Sequence, residues 1–557
     1  MQHADPGCRT IGPMSSRARV LLLASLSGGA LLVGVELMIT AVALPSILQS
    51  LADWTQLRRA SWIVNAYLLA YIATMPLAGR AADRFGLPRL FMLALGLFAV
   101  GSALSGVAQS LDQLIAARVI QGVGGGAIVP LATAGASLLF DGPARARALG
   151  IVGACTFLGM AIGPFAGASV LQVFDFSAAF ADAGSTGSLV ASMLTPAWRW
   201  VFFVSLPLAV VALLYVWAAA PSWPSQERRG RIDVLGASLF TAFLASGLLA
   251  LTSLGDPSFD GLSGRPLYVA ICIVTGLLAT VRFLRARDPF LDLRMFRNRI
   301  FSGAVLVSFL TGYGLATALI GAAVFVDRVR YAGPDEQRLV LGALALATAI
   351  GALGSGFALR VISVVPLSLF GLALAVGGLL LLAGTGPTTA ISTMVLGLSL
   401  FGLGFGITVT PRSTAAVEAL GRRAFGMASA GVTVARMAGM AIGLAVLTGF
   451  GSQRIAQLSV VLTDQAARDA VLPPELRGRP LEDGLVVAAL ERWAAGEAAS
   501  ILAGLFVVAA VVTALAVIPT LAMADRTRRS GRATISGESQ ALSGGDGDDA
   551  ARPAPAF

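Results

Sequence analysis

Apolar residues run along this chain in uninterrupted blocks of about 20, and short stretches rich in Gly, Pro and Arg separate one block from the next. At 1.5 Å per residue, a helix of that length crosses a hydrocarbon core of roughly 30 Å. The pattern predicts about fourteen transmembrane helices. The first six lie near residues 20–46, 61–79, 90–108, 113–139, 148–170 and 198–219. Two more follow a basic linker, near 234–254 and 266–284. The last six lie near 300–326, 337–359, 365–384, 389–410, 425–450 and 499–522. The expected fold class is therefore an all-α integral membrane protein built as six, two and six helices. A tail (1–19) precedes the first bundle (20–220), and a linker with two extra spans (221–299) leads to the second bundle (300–522), which carries an exterior segment at 451–498. A second tail, 523–557, closes the chain. Two six-helix bundles facing each other across a central cavity can rock so that a midplane site opens to either side.

Composition strengthens this picture. The 557 residues are 56% hydrophobic and only 13% charged, with a mean hydropathy of +0.81, which no ordinary water-soluble domain matches. The 64 glycines fit helices that associate in lipid by close backbone approach. The formal charge of +10 comes entirely from Arg, since the chain has no Lys. These arginines sit in short loops beside apolar blocks instead of lining one basic face, which argues against a nucleic-acid partner. Arg80, Arg84, Arg89, Arg145, Arg147, Arg228, Arg229 and Arg231 all fall on the N-terminal side of the spans. By the positive-inside rule both termini are then expected in the cytoplasm of a multi-pass inner-membrane protein, of bacterial origin. The tail from Asp525 has almost no apolar content and is expected to be disordered. The first block, about Val20 to Ile47, carries Glu36 and is too long for a cleaved signal peptide. Three cysteines (Cys8, Cys155, Cys272) and the single His3 exclude a disulfide framework and a metal site. No nucleophile–base pair or phosphate loop is present, so neither an enzyme nor an ATP-driven pump is expected, and no cofactor.

Several motifs carry a family resemblance. The loop between spans 2 and 3 reads Gly79-Arg80-Ala81-Ala82-Asp83-Arg84-Phe85-Gly86-Leu87-Pro88-Arg89. Its glycines permit a tight turn, and its carboxylate can hold a neighbouring Arg or helix N-terminus in one conformation only. The run resembles the G-x-x-x-D-R-x-G-x-x-R signature of the major facilitator superfamily. The resemblance implies a cytoplasmic gate latched by Asp83 with Arg145 or Arg147 and the start of span 13. In span 4, Arg118-Val119-Ile120-Gln121-Gly122 looks like the superfamily's R-x-x-Q-G element, which implies an influence on proton transfer. In span 5, Gly159, Gly163, Pro164 and Gly167 stand in a run similar to the G-x-x-x-G-P-x-x-G-G motif of antiporters, with Ala168 in place of the last glycine. Span 1 ends in Glu36-Leu37-Met38-Ile39-Thr40-Ala41-Val42-Ala43-Leu44-Pro45, which resembles the L-D-x-T-x-V-N-V-A-L-P signature of the fourteen-helix drug:proton antiporters of the EmrB/QacA type. Trp198-Arg199-Trp200 and the run from Gly426 to Gly443, with Arg436, match the same family. The second half lacks the acidic residue where the loop signature would repeat, at Gly356 to Val361.

An Arg or carboxylate within an apolar helix has an insertion cost of roughly 2.5–3.5 kcal/mol and needs a partner or a task. Glu36, Arg118 and Arg436 are the candidates for proton coupling. Two readings stay open for Glu36 and Arg436, a static ion pair between the halves and a protonation site whose partner separates from it in the other conformation. Asp327 with Arg328, and Arg412 with Glu418, read as interfacial charges at span ends. The resemblance implies proton-driven export of hydrophobic or amphipathic small molecules such as drugs by a monomer. The segment from Gly451 to Ala498 favours an alternative, because helices flanking Pro473-Pro474 would extend spans 13 and 14 beyond the outer surface. That resembles lipid exporters, including the mycobacterial triacylglyceride exporters. Leu485, Ala489, Leu490 and Trp493 are expected to form the apolar face of this extension, which also offers a surface to an exterior partner.

Overall fold

The computed structural model describes residues 16–52, 56–140, 142–174, 176, 194–219, 233–254, 261, 264–287, 289–420 and 425–524. The two chain termini and the basic linker before Asp233 lie outside the described residues. Among those described, the chain is helical throughout, with fourteen long helices in the expected order. The first six are α1 (Ser16–Leu51), α2 (Trp62–Phe85), α3 (Leu87–Val107), α4 (Leu111–Leu139), α5 (Gly142–Val173) and α6 (Ser205–Ala219). The inserted pair is α7 (Val234–Thr252) and α8 (Arg265–Arg285). The last six are α9 (Arg299–Arg328), α10 (Pro334–Ala358), α11 (Val364–Ala383), α12 (Ile391–Leu420), α13 (Phe425–Thr463) and α14 (Gly484–Leu515). Twelve of these are long and apolar enough to cross a membrane, and α5 makes a thirteenth when its two arms, bent by 43°, count as one span. α2 includes the apolar stretch Trp62–Ala78 and ends with Arg84 in its last turn.

The two halves repeat one packing scheme. In each, the first helix lies against the fifth, and the fourth against the second and third, so that α1·α5, α2·α4 and α3·α4 correspond to α9·α13, α10·α12 and α11·α12. Between halves, α5 packs on α10 and α13 on α2. Paired glycines set the closest approaches. A Cβ on Gly34 would collide with the Thr156 carbonyl of α5, and one on Gly159 with the Leu31 carbonyl of α1. The second half has the same device, since Gly312 and Gly439 bring α9 and α13 into backbone contact. Without a hydrophobic driving force between helices in lipid, such contacts are a principal source of association.

The inserted hairpin α7–α8 lies along the seam between α2 and α13. Its base is held by Asp233, a 5% exposed residue that caps α7. Its carboxylate accepts from the Gly236 N–H at 3.0 Å, from Arg282 Nε of α8 at 3.0 Å and from the Phe290 N–H at 3.0 Å. Burial pushes this carboxyl upward, but the three donors outweigh it and hold it below the usual carboxylate range. Depression of this kind stabilises the fold above the unfolded-state value, and the contribution disappears as pH falls through the folded value. Asp233→Ala is expected to lower stability by about 1–3 kcal/mol, the range for leaving buried donors unsatisfied. Thermal unfolding of the detergent-solubilised protein at neutral pH checks this, and the difference from wild type should shrink as the pH is lowered into the acid range.

Candidate functional site

Each half carries a buried arginine on its fourth helix that reaches its own first helix, and the two are satisfied differently. In the first half, α1 presents Glu36 (0% exposed) and α4 presents Arg118 (1% exposed). Arg118 Nη1 donates to Glu36 Oε1 at 2.5 Å and to Gln121 Oε1 at 2.5 Å, while Nε donates to the Ile63 carbonyl at 3.2 Å. Its guanidinium lies over the rings of Tyr67, 4.1 Å away, and Phe202, 5.6 Å away. Thr40, one turn along α1, donates to Glu36 at 3.1 Å. Gln121 continues the network to Ser102 on α3 at 3.2 Å, and Ser102 pairs with Ser205 of α6 at 2.6 Å. The R-x-x-Q-G spacing has a clear geometric reason, because residues three apart share a helix face. Arg118 and Gln121 can therefore grip one carboxylate and one hydroxyl cluster together. The second Glu36 oxygen and both side-chain atoms of buried Asn65 have no hydrogen-bond partner among the described residues.

The ion partner of Glu36 in this structure is thus Arg118 and not Arg436. Arg436, on α13, is buried at 4% exposure. Tyr71 and Tyr67 stand with ring centroids 6.0 Å apart, and Arg118 lies over the Tyr67 ring. Arg412 corrects an expectation. The sequence places Arg412 with Glu418 as interfacial charges at the end of span 12, but α12 continues to Leu420 and Arg412 is 1% exposed. Its Nη1 donates to Thr311 of α9, and its guanidinium stands 5.2 Å from the ring of Phe405. Asp327 and Arg328, in contrast, are a partly exposed pair at 2.9 Å near the end of α9.

The span 5 motif lines one face of α5 against α1. Gly159 and Gly163 lie where any side chain would meet the α1 backbone, and Gly167 rests against Ile39. Pro164 cannot donate to the preceding turn, which accounts for the bend of α5. In the loop motif, Gly86 separates α2 from α3 at φ 85°, a left-handed backbone that favours glycine, and its N–H closes α2 on the Ala82 carbonyl. Arg84, Arg89 and Arg147 are exposed. The side chains of Asp83 and Arg145, and of residues 421–427 at the start of α13, lie outside the described ones, as does the surrounding of Gly79, so the anticipated latch falls outside the described side chains.

A cavity of about 480 Å³ opens between the halves. Met38 of α1, Cys155 of α5, Leu315 of α9, Leu344 of α10 and Phe405 and Val409 of α12 are among its walls. At the other end of the same seam, polar contacts tie the halves together. Gln172 donates to Asp335 at 2.7 Å, Arg338 to Gln172 at 2.7 Å and Gln337 to the Val42 carbonyl at 3.3 Å. These hydrogen bonds lie toward Leu51 and Val173, and the cavity lies toward the opposite end of the seam.

A membrane-embedded, two-bundle transporter is what this arrangement defines. The family model described as Major Facilitator Superfamily matches residues 26–444, and the chain belongs to that superfamily. A triacylglyceride transporter of Mycolicibacterium hassiacum is 35% identical over 433 residues, 75% of each chain. One from Mycolicibacterium smegmatis is 32% identical over 484 residues, 84% of this chain and 82% of that one. Among solved structures, a bacterial homologue of the human lysosomal transporter Spinster superposes with a TM-score of 0.60 at 17% identity, over 92% of this chain and 99% of its own. The fold and the named relatives make this chain a transporter and not an enzyme.

The buried pair yields a stability prediction. Arg118→Ala leaves a carboxylate unpaired in an apolar interior, and a loss of about 3–5 kcal/mol is expected. Glu36→Gln combined with Arg118→Gln should cost clearly less than the sum of the two single changes, because the double variant buries no charge. Thermal denaturation of the four proteins in one detergent completes the cycle.

Proposed function

We propose that the chain exports a lipid of triacylglyceride type across the cytoplasmic membrane, by alternating access driven by the proton gradient. The observation that carries this reading is the structured crown beyond the spans. α13 runs for 39 residues, about 58 Å and so nearly twice the thickness of a bilayer core. α14 begins at Gly484, well before its lipid-spanning portion. Between them, Val461, Leu472, Val486, Ala489 and Leu490 form a separate apolar core, with Trp493 packed on it. Ala489, Leu490 and Trp493 thus take the expected side. Leu485 does not: it is 60% exposed, and Val486 fills the interior position. A drug that diffuses from the outer surface into water needs no such extension, whereas a lipid needs a covered route away from the leaflet. The names of the curated relatives support the same cargo class.

Glu36 is the proposed proton acceptor. Protonation would neutralise the buried carboxylate and release Arg118, and a change in that pair changes which packing of the halves is stable. The cavity, separated along the seam from the hydrogen bonds of Gln172, Asp335, Gln337 and Arg338, is the loading compartment in this reading. Both termini are placed in the cytoplasm, the transporter is taken to act as a monomer, and the crown is taken as the docking surface for an exterior lipid acceptor. Drug:proton antiport of the EmrB/QacA type is the second reading, and the α5 motif lying glycine-first against α1 favours it.

Uptake of labelled triacylglyceride and of a cationic dye into inside-out vesicles under an imposed pH gradient separates the two. Gradient-dependent lipid uptake, reduced at least about tenfold by Glu36→Gln, is expected. Dye uptake with no lipid movement would establish the second reading instead. Leu490→Asp, which places a charge in the crown core, should depress lipid transfer to acceptor vesicles while leaving the detergent-purified protein monodisperse.

A further inference from the structure

A second cavity of about 480 Å³ lies behind the seam, between the inserted hairpin and the two bundles. Ile72 of α2, Gly247 of α7, Cys272 and Ile273 of α8, Phe309 of α9 and Ala441 of α13 stand on its wall, and the other side chains there are apolar too. Water finds no polar partner on such a wall, whereas a hydrocarbon chain gains dispersion contacts. Ile273 both lines the cavity and is 57% exposed, so the cavity opens on the outside of the hairpin, where the bilayer lies. From this mouth an apolar stripe runs along α8. Ile273, Leu277 and Val281 are all exposed and follow at intervals of four, a spacing that keeps them on one helix face. The next position in that series is Arg285, also exposed. At 1.5 Å per residue it stands about 18 Å along α8 from Ile273, roughly the depth of one leaflet.

Arg285 opens a basic connector to α9. From 285 to 299 the sequence holds five arginines, Arg285, Arg287, Arg294, Arg297 and Arg299, against two aspartates. All five arginines are exposed, and none has an acidic partner among the described residues. At the opposite ends of the spans, exposed Arg59 and Arg479 each pair with a carboxylate. The connector is also well anchored. Buried Phe290 stacks on Phe283, Asp292 caps the turn Leu293–Arg297, and Asn298 donates to the Ala419 carbonyl at 2.9 Å. Cationic groups on an ordered backbone therefore stand one leaflet's depth from an apolar cavity, joined to it by an exposed apolar stripe.

We propose that an acidic glycerophospholipid of the bilayer lies along α8, its phosphate held by Arg285 and the connector arginines and one acyl chain in the cavity walled by Gly247, Cys272, Phe309 and Ala441. Guanidinium groups meet two phosphate oxygens at once, and arginines beside a span attract anionic head groups. The site shares no wall residue with the cavity bounded by Met38 and Phe405, so it holds a resident lipid whatever cargo is carried. Its wall is drawn from the hairpin and from both bundles, so movement of α13 against α2 alters the fit and the bound chain favours one arrangement of the halves.

The test uses the purified full-length chain in mixed micelles and a phosphatidylglycerol with a mid-chain diazirine, with cross-linked peptides read by mass spectrometry. Cross-links to α7 near Gly247, α8 near Cys272 or α13 near Ala441 are expected. Unlabelled phosphatidylglycerol should displace the probe at concentrations about tenfold or more below those needed of phosphatidylcholine or triolein, the scale that one or two arginines at a charged surface supply. Replacing Arg285, Arg287 and Arg294 together by Gln should erase this preference, and replacing the same three by Lys should keep most of it, which separates charge from folding. A Cβ on Gly247 meets Cys272 Sγ at 3.4 Å, ordinary contact, so Gly247→Leu should fold, fill the cavity and cut the wall cross-links at least about tenfold. Equal displacement by the acidic and zwitterionic lipids overturns the proposal, as does an acidic preference that survives the triple glutamine variant. Cross-links confined to other helices, or undiminished in folded Gly247→Leu, overturn it as well. Triolein displacing the probe as well as phosphatidylglycerol does overturns it too, because the cavity then belongs to a route for neutral lipid. If Gly247→Leu does not fold, the arginine variants, all at exposed positions, decide.

Discussion

Charge inside hydrocarbon organises this molecule. A guanidinium or carboxylate in a bilayer interior has no water to solvate it, so it must be matched by an opposite charge, by dipoles or by aromatic faces. Arg118 uses all of these, with Glu36, Gln121, the Ile63 carbonyl and the ring of Tyr67 around one guanidinium. The helices α1, α2 and α4 are thereby fixed around a single polar point, and α3 and α6 join it through Ser102 and Ser205. The first bundle is packed about its only buried acid among the described residues. In the second bundle the same solvent constraint is met at Arg412 with a hydroxyl and an aromatic ring.

Close helix contact supplies the other half of the architecture. Gly34 with Gly159, and Gly312 with Gly439, let the first and fifth helices of each bundle touch through their backbones. Bundles held internally in this way can behave as rigid bodies that meet along α5–α10 and α2–α13, on either side of a cavity. Rigid halves that share such a seam are what a rocking mechanism needs.

Much of this was legible from residue order. Apolar block length located every long helix, because the bilayer demands one helical length scale, and an isolated acid and an isolated arginine in such blocks marked Glu36 and Arg118 as a site. Their pairing was not legible. Glu36 and Arg436 were matched because both sit near the middle of their helices, whereas the partner is set by which helix packs beside α1, and α4 reaches it across the bundle. The apolar run of span 12 gives out near 410, which places Arg412 at a span end, yet α12 continues to Leu420 and proline is tolerated within a buried membrane helix whose neighbours satisfy the freed carbonyl. In the crown, a single step of helical phase, about 100° per residue, separates exposed Leu485 from buried Val486. A short apolar run without a long periodic pattern leaves that phase undetermined.

The continuity of α13 has a mechanical consequence. The helix carries Arg436 at the seam and ends at Thr463 in the crown with no proline between them, a stiff rod of about 40 Å. A rotation of roughly 15°, the size of known interface rearrangements, would sweep its far end through about 10 Å. The rod is a lever with its short arm among the buried charges and its long arm in the crown, so a small movement at the seam reaches the crown amplified.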